Sequence, residues 1–156
     1  SDAFVKLITQ DKVTQPIEMS QENPYLYRAT ERYLFDRGIK PLSPIKDMIG
    51  SQATKGIHFL ARFAPHRVSP GVWSDGALLT AFEGYPSACK RSSVMRQMYR
   101  YYPDLVNEDK RDALWCALIA LLFVKDKSRL AFPEEHIAKS EGWIFVPLDA
   151  LEDINL

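Results

Sequence analysis

The sharpest apolar patterning lies in two stretches. Residues 77–82 form an apolar run interrupted only by Thr80; it ends on Glu83 and turns at Gly84-Tyr85-Pro86. Such a run predicts a strand buried on both faces, as in the middle of a mixed sheet. Residues 113–124 are apolar nearly all round and predict a core helix, opened by Asn107 or Glu108 and running to about Lys125. The rest of the pattern is coarser. Residues 3–8 read as a short strand and the polar residues 9–23 as a loop. Tyr25 to Phe35 predicts a helix, with Pro24 at its first turn and Gly38 closing it. Ile45 to Phe63 predicts another, capped by Ser43-Pro44, with apolar positions at Ile45, Met48, Ile49, Ile57, Leu60 and Phe63. Gly50 and Gly56 weaken it and allow a break between them. Residues 64–71 read as loop. Pro86 starts a helix over residues 87–101, residues 133–136 form an acidic turn, and residues 142–147 a closing strand. Helices, strand, helix, helix, strand in that order predict an α/β domain.

Length and composition narrow this picture. A chain of 156 residues, 46% hydrophobic and 26% charged, suits one globular domain over residues 1–156 with one core. The net charge of zero removes any global argument for a nucleic-acid or acidic partner, so such an argument has to be local. Cys89 and Cys116 have no metal-ligand spacing, and with no secretory signal they predict a reduced, cytoplasmic setting. The longest apolar stretch is too short to span a bilayer, and no membrane partner is expected.

Four groups of residues carry candidate chemistry. Glu83 directly follows the apolar run, and a carboxylate ending a buried strand is costly unless paired, hydrated or metal-bound. It is either an edge residue facing water or a ligand for a hard cation such as Mg2+. Asp109 and Asp112 share one face of the first turns of the apolar helix. They either complement the helix dipole or join Glu83 in one site. Lys90 and Arg91 follow the acidic strand end within a turn and are candidate phosphate-binding residues. With Arg96 and Arg100, interleaved with Met95, Met98, Tyr99 and Tyr101, they also fit a solvated helix face. His58, His66 and His136 are scattered, without zinc spacing, and are expected at the surface or in structural roles.

Taken in order, three segments resemble one family. Glu83-Gly-Tyr-Pro-Ser-Ala88 resembles the Glu-x-Tyr-Pro-x-Ala segment of the predicted RNase H-like nucleases catalogued as domain of unknown function number 429. Asp109-Lys-Arg-Asp112-Ala-Leu114 resembles that family's Asp-x-x-Asp-Ala-Leu helix, and also the last helix of RuvC-type Holliday-junction resolvases. Glu141-Gly-Trp-Ile-Phe-Val-Pro147 resembles its closing strand, and Arg28-Ala-Thr-Glu-Arg32 followed by Gly38-Ile39 its Arg-rich insertion helix. The likeness covers roughly residues 25–147.

The resemblance implies a ribonuclease H-like mixed sheet flanked by helices. It also implies carboxylates that bind two divalent ions, Mg2+ or Mn2+, for phosphodiester hydrolysis. Glu83 becomes the strand-end ligand, and Asp109 and Asp112 the helix acids. Ser1-Asp2-Ala3-Phe4 resembles a later strand end of the family, which makes Asp2 a further metal ligand. The family's first strand carries an Asp in a Gly-x-Asp setting, and nothing in residues 1–24 supplies it. The chain is therefore expected to be N-terminally truncated. Two functions follow: a metal-dependent nuclease acting on nucleic acid, or a catalytically inactive RNase H-like binding or interaction module. Sheet edge left exposed by absent strands would favour a homo-oligomer or a missing partner segment.

Overall fold

The structure, a computed structural model, describes residues 26–43, 47, 49–137 and 141–152. The strand expected at residues 3–8, the loop at 9–23, Pro24 and Asp2 lie outside the described residues.

The described chain is a mixed α/β structure, built on a four-stranded sheet in sequence order. Strands β1 (His66–Ser69) and β2 (Val72–Ser74) form an antiparallel hairpin, β2 pairs antiparallel with β3 (Thr80–Gly84), and β3 pairs parallel with β4 (Ile144–Phe145). The helices are α1 (Ala29–Phe35), α2 (Gly50–Phe63), α3 (Pro86–Cys89), α4 (Ser93–Tyr99) and α5 (Glu108–Lys125). Among the described residues no helix is long and apolar enough to cross a membrane.

The closing segment sets the layers. Alternate residues of a strand face opposite sides of a sheet. Trp143 and Phe145 accordingly pack with Trp115, Leu118, Ile119, Leu122 and Phe123 of α5. Ile144 and Val146 pack with Leu34 of α1 and Ile39. The sheet thus lies between α5 and α1.

Helix α5 has the bounds its pattern predicts. The Asn107 side chain accepts the Lys110 N–H at 2.9 Å and opens it, and Glu108 and Asp109 lie in the first turn. Pro86 also starts a helix as expected, but the helix over residues 87–101 is two. It stops after Cys89, and Ser92 caps a new start by accepting the Met95 N–H at 3.0 Å. Asp149 completes that cap, accepting from Ser93 N at 2.8 Å and Val94 N at 3.1 Å.

Three further expectations are corrected. Residues 64–71 hold a strand, and Pro70-Gly71 turns it into β2, with Gly71 at φ 70°. The strand expected at residues 77–82 starts only at Thr80 and is not buried on both faces. The Asp75 carboxylate accepts from Ala77 N and Leu79 N at 2.8 and 2.9 Å, folding those residues into the hairpin loop and leaving Leu78 99% exposed. Helix α1 begins at Ala29, because Arg28 is extended, with ψ 162°.

Helix α2 is continuous through Gly56 and starts at Gly50, so no break occurs between the two glycines. The expected start near Ile45 falls on residues 44–46 and 48, outside the described residues; Ser43's hydroxyl donates to the Leu26 carbonyl, and its backbone N–H donates to Asp47. No residue of α2 is buried.

Candidate functional site

Glu83, near the end of β3, is 45% exposed and ion-paired. Its carboxylate is gripped by Arg28, with Nη1–Oε2 at 2.9 Å and Nη2–Oε1 at 3.2 Å. A two-point fork of this kind fixes direction as well as charge. The same guanidinium reaches Glu31, whose Oε1 accepts from Nε at 2.9 Å, and the Arg28 backbone N–H donates to Glu31 Oε2 at 2.7 Å. One arginine therefore joins a fully buried acid to a half-exposed one.

The closing strand holds this clamp in place. Glu141 Oε1 accepts the Ala29 N–H at 2.8 Å, and Thr30 Oγ1 accepts the Ile144 N–H at 2.9 Å. Gly142 lies directly beneath the guanidinium, where an added Cβ would sit 2.9 Å from Arg28 Nη1. The segments at Arg28–Glu31 and Glu141–Ile144 are thus built for each other. Register brings Glu83 alongside, because it is the β3 residue opposite Ile144.

The electrostatics follow from burial. Burial works against the Arg28 charge, but the hydrogen bond and charge of Glu83, then those of Glu31, outweigh it and hold its pKa above the ordinary arginine value. Burial lifts the Glu31 carboxyl above the ordinary carboxylate range, and Arg28 only partly pulls it back.

Asp112 Oδ1 makes no hydrogen bond to this clamp. Gly84 rests against Ile119, where an added Cβ would be 3.3 Å from Cδ1. Ile119 is seven residues beyond Asp112, about 10 Å of helix rise. On α5, Asp112 stands one turn before Cys116. Burial first, then the charges of Cys116 and Asp112, push the Cys89 thiol up to about 12. Partial burial and Asp112 likewise raise Cys116. Neither thiol is activated as a nucleophile. Cys116 is exposed rather than part of the core. Asp112 Oδ1 is buried with no hydrogen-bond partner, as are Arg111 Nε and Trp115 Nε1 on the same side of α5.

The other candidates are spread out. Asp109 is exposed on the first turn of α5. Lys90 is half-exposed, its Nζ 3.9 Å from Glu108. Arg91 is engaged at both ends, donating to the Gly38 carbonyl and to Glu152 Oε1 at 2.6 Å each. His58, His66 and His136 are exposed. Among the described residues, no group of three or more His, Cys, Asp and Glu side chains is arranged to hold a metal ion. The two-ion site implied by the resemblance is not assembled by these residues as they stand: among the described residues its strand-end acid is paired with arginine, and no group of three or more possible ligands gathers.

The roles of Glu31, Glu141, Asp149 and Glu152 were not read from the sequence. One signal was there: Arg28 and Glu31 have the spacing at which a side chain reaches back to a helix's first N–H. Fold and site together define an α/β protein with a mixed four-stranded sheet, whose strand-end acid is clamped by an arginine from α1's start. Compared with protein-family models, with curated proteins and with solved structures, the chain matches none.

Proposed function

We propose that this chain is a ribonuclease H-like module that works by binding and not by hydrolysis. The observation that carries this reading is the double grip of Arg28 on Glu83. A carboxylate that ligates Mg2+ or Mn2+ offers its oxygens to the ion. Here both are taken by a guanidinium that is itself tied to buried Glu31. The strand-end acid then serves the fold: it links β3 to the start of α1 across the face where the closing strand docks. The test is hydrolysis of branched, duplex and hybrid nucleic acids in Mg2+ or Mn2+, by wild type, Glu83→Ala and Asp112→Ala. The expected result is no turnover above buffer in any of the three. Turnover by wild type that both substitutions abolish would refute it.

A second reading, a divalent-metal-dependent nuclease, is favoured by one observation: Asp112 Oδ1 is buried without a partner. A lone buried carboxylate oxygen is costly and suits a site that awaits a cation. That reading requires Glu83 to leave Arg28 and move toward Asp112. Nucleic acid would then be the substrate, with Lys90 available to a phosphate.

A further inference from the structure

Trp143 and Trp115 are both buried, but their indole N–H groups fare differently. Trp143 Nε1 donates to the Ala131 carbonyl at 2.9 Å. Trp115 is 5% exposed, and its Nε1 meets no acceptor among the described residues. Three more buried polar atoms share that condition: Tyr99 Oη, Arg111 Nε and Asp112 Oδ1.

The four side chains gather about one ring. Tyr99, the last residue of α4, stacks on Trp115, with ring centroids 4.3 Å apart and planes 28° apart. At 100° per residue, Arg111, Trp115 and Asp112 follow one another within about 100° of the circumference of α5. They lie within four positions of each other, so their side chains are neighbours. Buried polar groups ordinarily find a partner, because leaving one unpaired is costly.

The mixture of atoms selects that partner. Trp115 Nε1 and Arg111 Nε only donate, Asp112 Oδ1 accepts, and the Tyr99 hydroxyl does either. A metal ion would meet N–H hydrogens and a guanidinium, with one carboxylate to hold it, whereas hard cations gather several oxygens. An anion would meet Asp112. A neutral molecule that both donates and accepts suits the whole set, and one held among atoms closed to solvent is small. We propose that an internal water molecule sits between α4 and α5, donating to Asp112 Oδ1 and accepting from Trp115 Nε1. The Tyr99 hydroxyl supplies its third hydrogen bond, the usual number for such a water. The inference rests on the binding-module reading, in which Asp112 takes no metal, and names what its buried oxygen binds instead.

Proton NMR of the full chain tests this at the Trp115 indole proton, assigned by its loss in Trp115→Phe. Wild type is expected to show a water cross-peak there, with nuclear and rotating-frame Overhauser effects of opposite sign, as for a water that tumbles with the protein. The cross-peak should persist in Tyr99→Phe, which removes proton exchange relayed through the phenol. It should persist in Asp112→Asn, which keeps an acceptor, and fall to background in Asp112→Leu, which has none. A wild-type indole proton without the cross-peak overturns the proposal, as does a cross-peak lost in Tyr99→Phe or unchanged in Asp112→Leu. The wild-type and Tyr99→Phe spectra decide it alone if Asp112→Leu does not fold. Saturable broadening of the same proton by Mn2+, absent in Asp112→Asn, also overturns it by giving the oxygen a cation. Only that outcome counts against the binding-module reading as well; a dry indole leaves that reading to the hydrolysis assay.

Discussion

Arg28 has two acidic partners in very different surroundings, and the difference sets what each is worth. Glu31 is fully buried, so removing its cation strands a charge in the interior, whereas Glu83 is 45% exposed and can turn to water. Arg28→Ala should therefore destabilise the fold by about 3 kcal/mol. Glu83→Ala should cost under about 1 kcal/mol, as for a solvent-accessible pair. Urea unfolding of the two variants measures the difference; equal losses would mean that Glu31 is not the partner that matters. The sequence raises the question of a partner for Glu83, because it follows an apolar run, while leaving open that it faces water. It does not show which one, since Arg28 is 55 positions away. Glu83 and Asp112 both border apolar stretches, which by itself does not say what each carboxylate pairs with.

At the scale of elements, two devices are open to test. The β1–β2 turn depends on Gly71, which combines φ 70° with a Cβ direction only 2.5 Å from Trp143 Cβ and 2.6 Å from its backbone nitrogen. Both atoms belong to the buried closing strand, so nothing flexible can yield. Gly71→Ala should cost about 2–5 kcal/mol, combining left-handed strain with overpacking, read as a lower urea midpoint. Asp149 caps α4. Burial alone would raise its pKa, but hydrogen bonds from Ser92, Val94 and Ser93 overcome that and hold it below the ordinary carboxylate value. A depressed folded pKa adds stability that is fully present above the unfolded value, about 3.9, and is lost as pH falls through the folded value. The stability gap between wild type and Asp149→Asn should be constant near neutrality and shrink below about pH 4. A gap that grows on acidification would contradict the cap.

The elements that were legible share one property: local sequence decides them. Helix α5 has its own cap, its acidic first turn and a long apolar body, and Pro86 marks the start of α3. The β1–β2 hairpin was not legible, because His66-Arg-Val-Ser69 is largely exposed and shows no two-residue alternation. Its second strand is held on the other side by pairing with β3. The strand at Thr80–Gly84 was placed too early because Leu78 and Leu79 look like core residues, while Asp75 draws them into a turn. Helix α2 reads as amphipathic, which it is. Amphipathicity foretells that an apolar face exists and not what covers it.

For the whole molecule, the layered order of α1, sheet and α5 places an arginine clamp on the acid near the end of β3. The central claim is that Glu83 is an internal ion-pair partner and not a metal ligand. Calorimetric titration of Mn2+ into wild type and Glu83→Ala tests it most directly. The account predicts the same weak, nonspecific heat from both proteins, with no saturable site. Saturable Mn2+ binding by wild type that disappears in Glu83→Ala would contradict it.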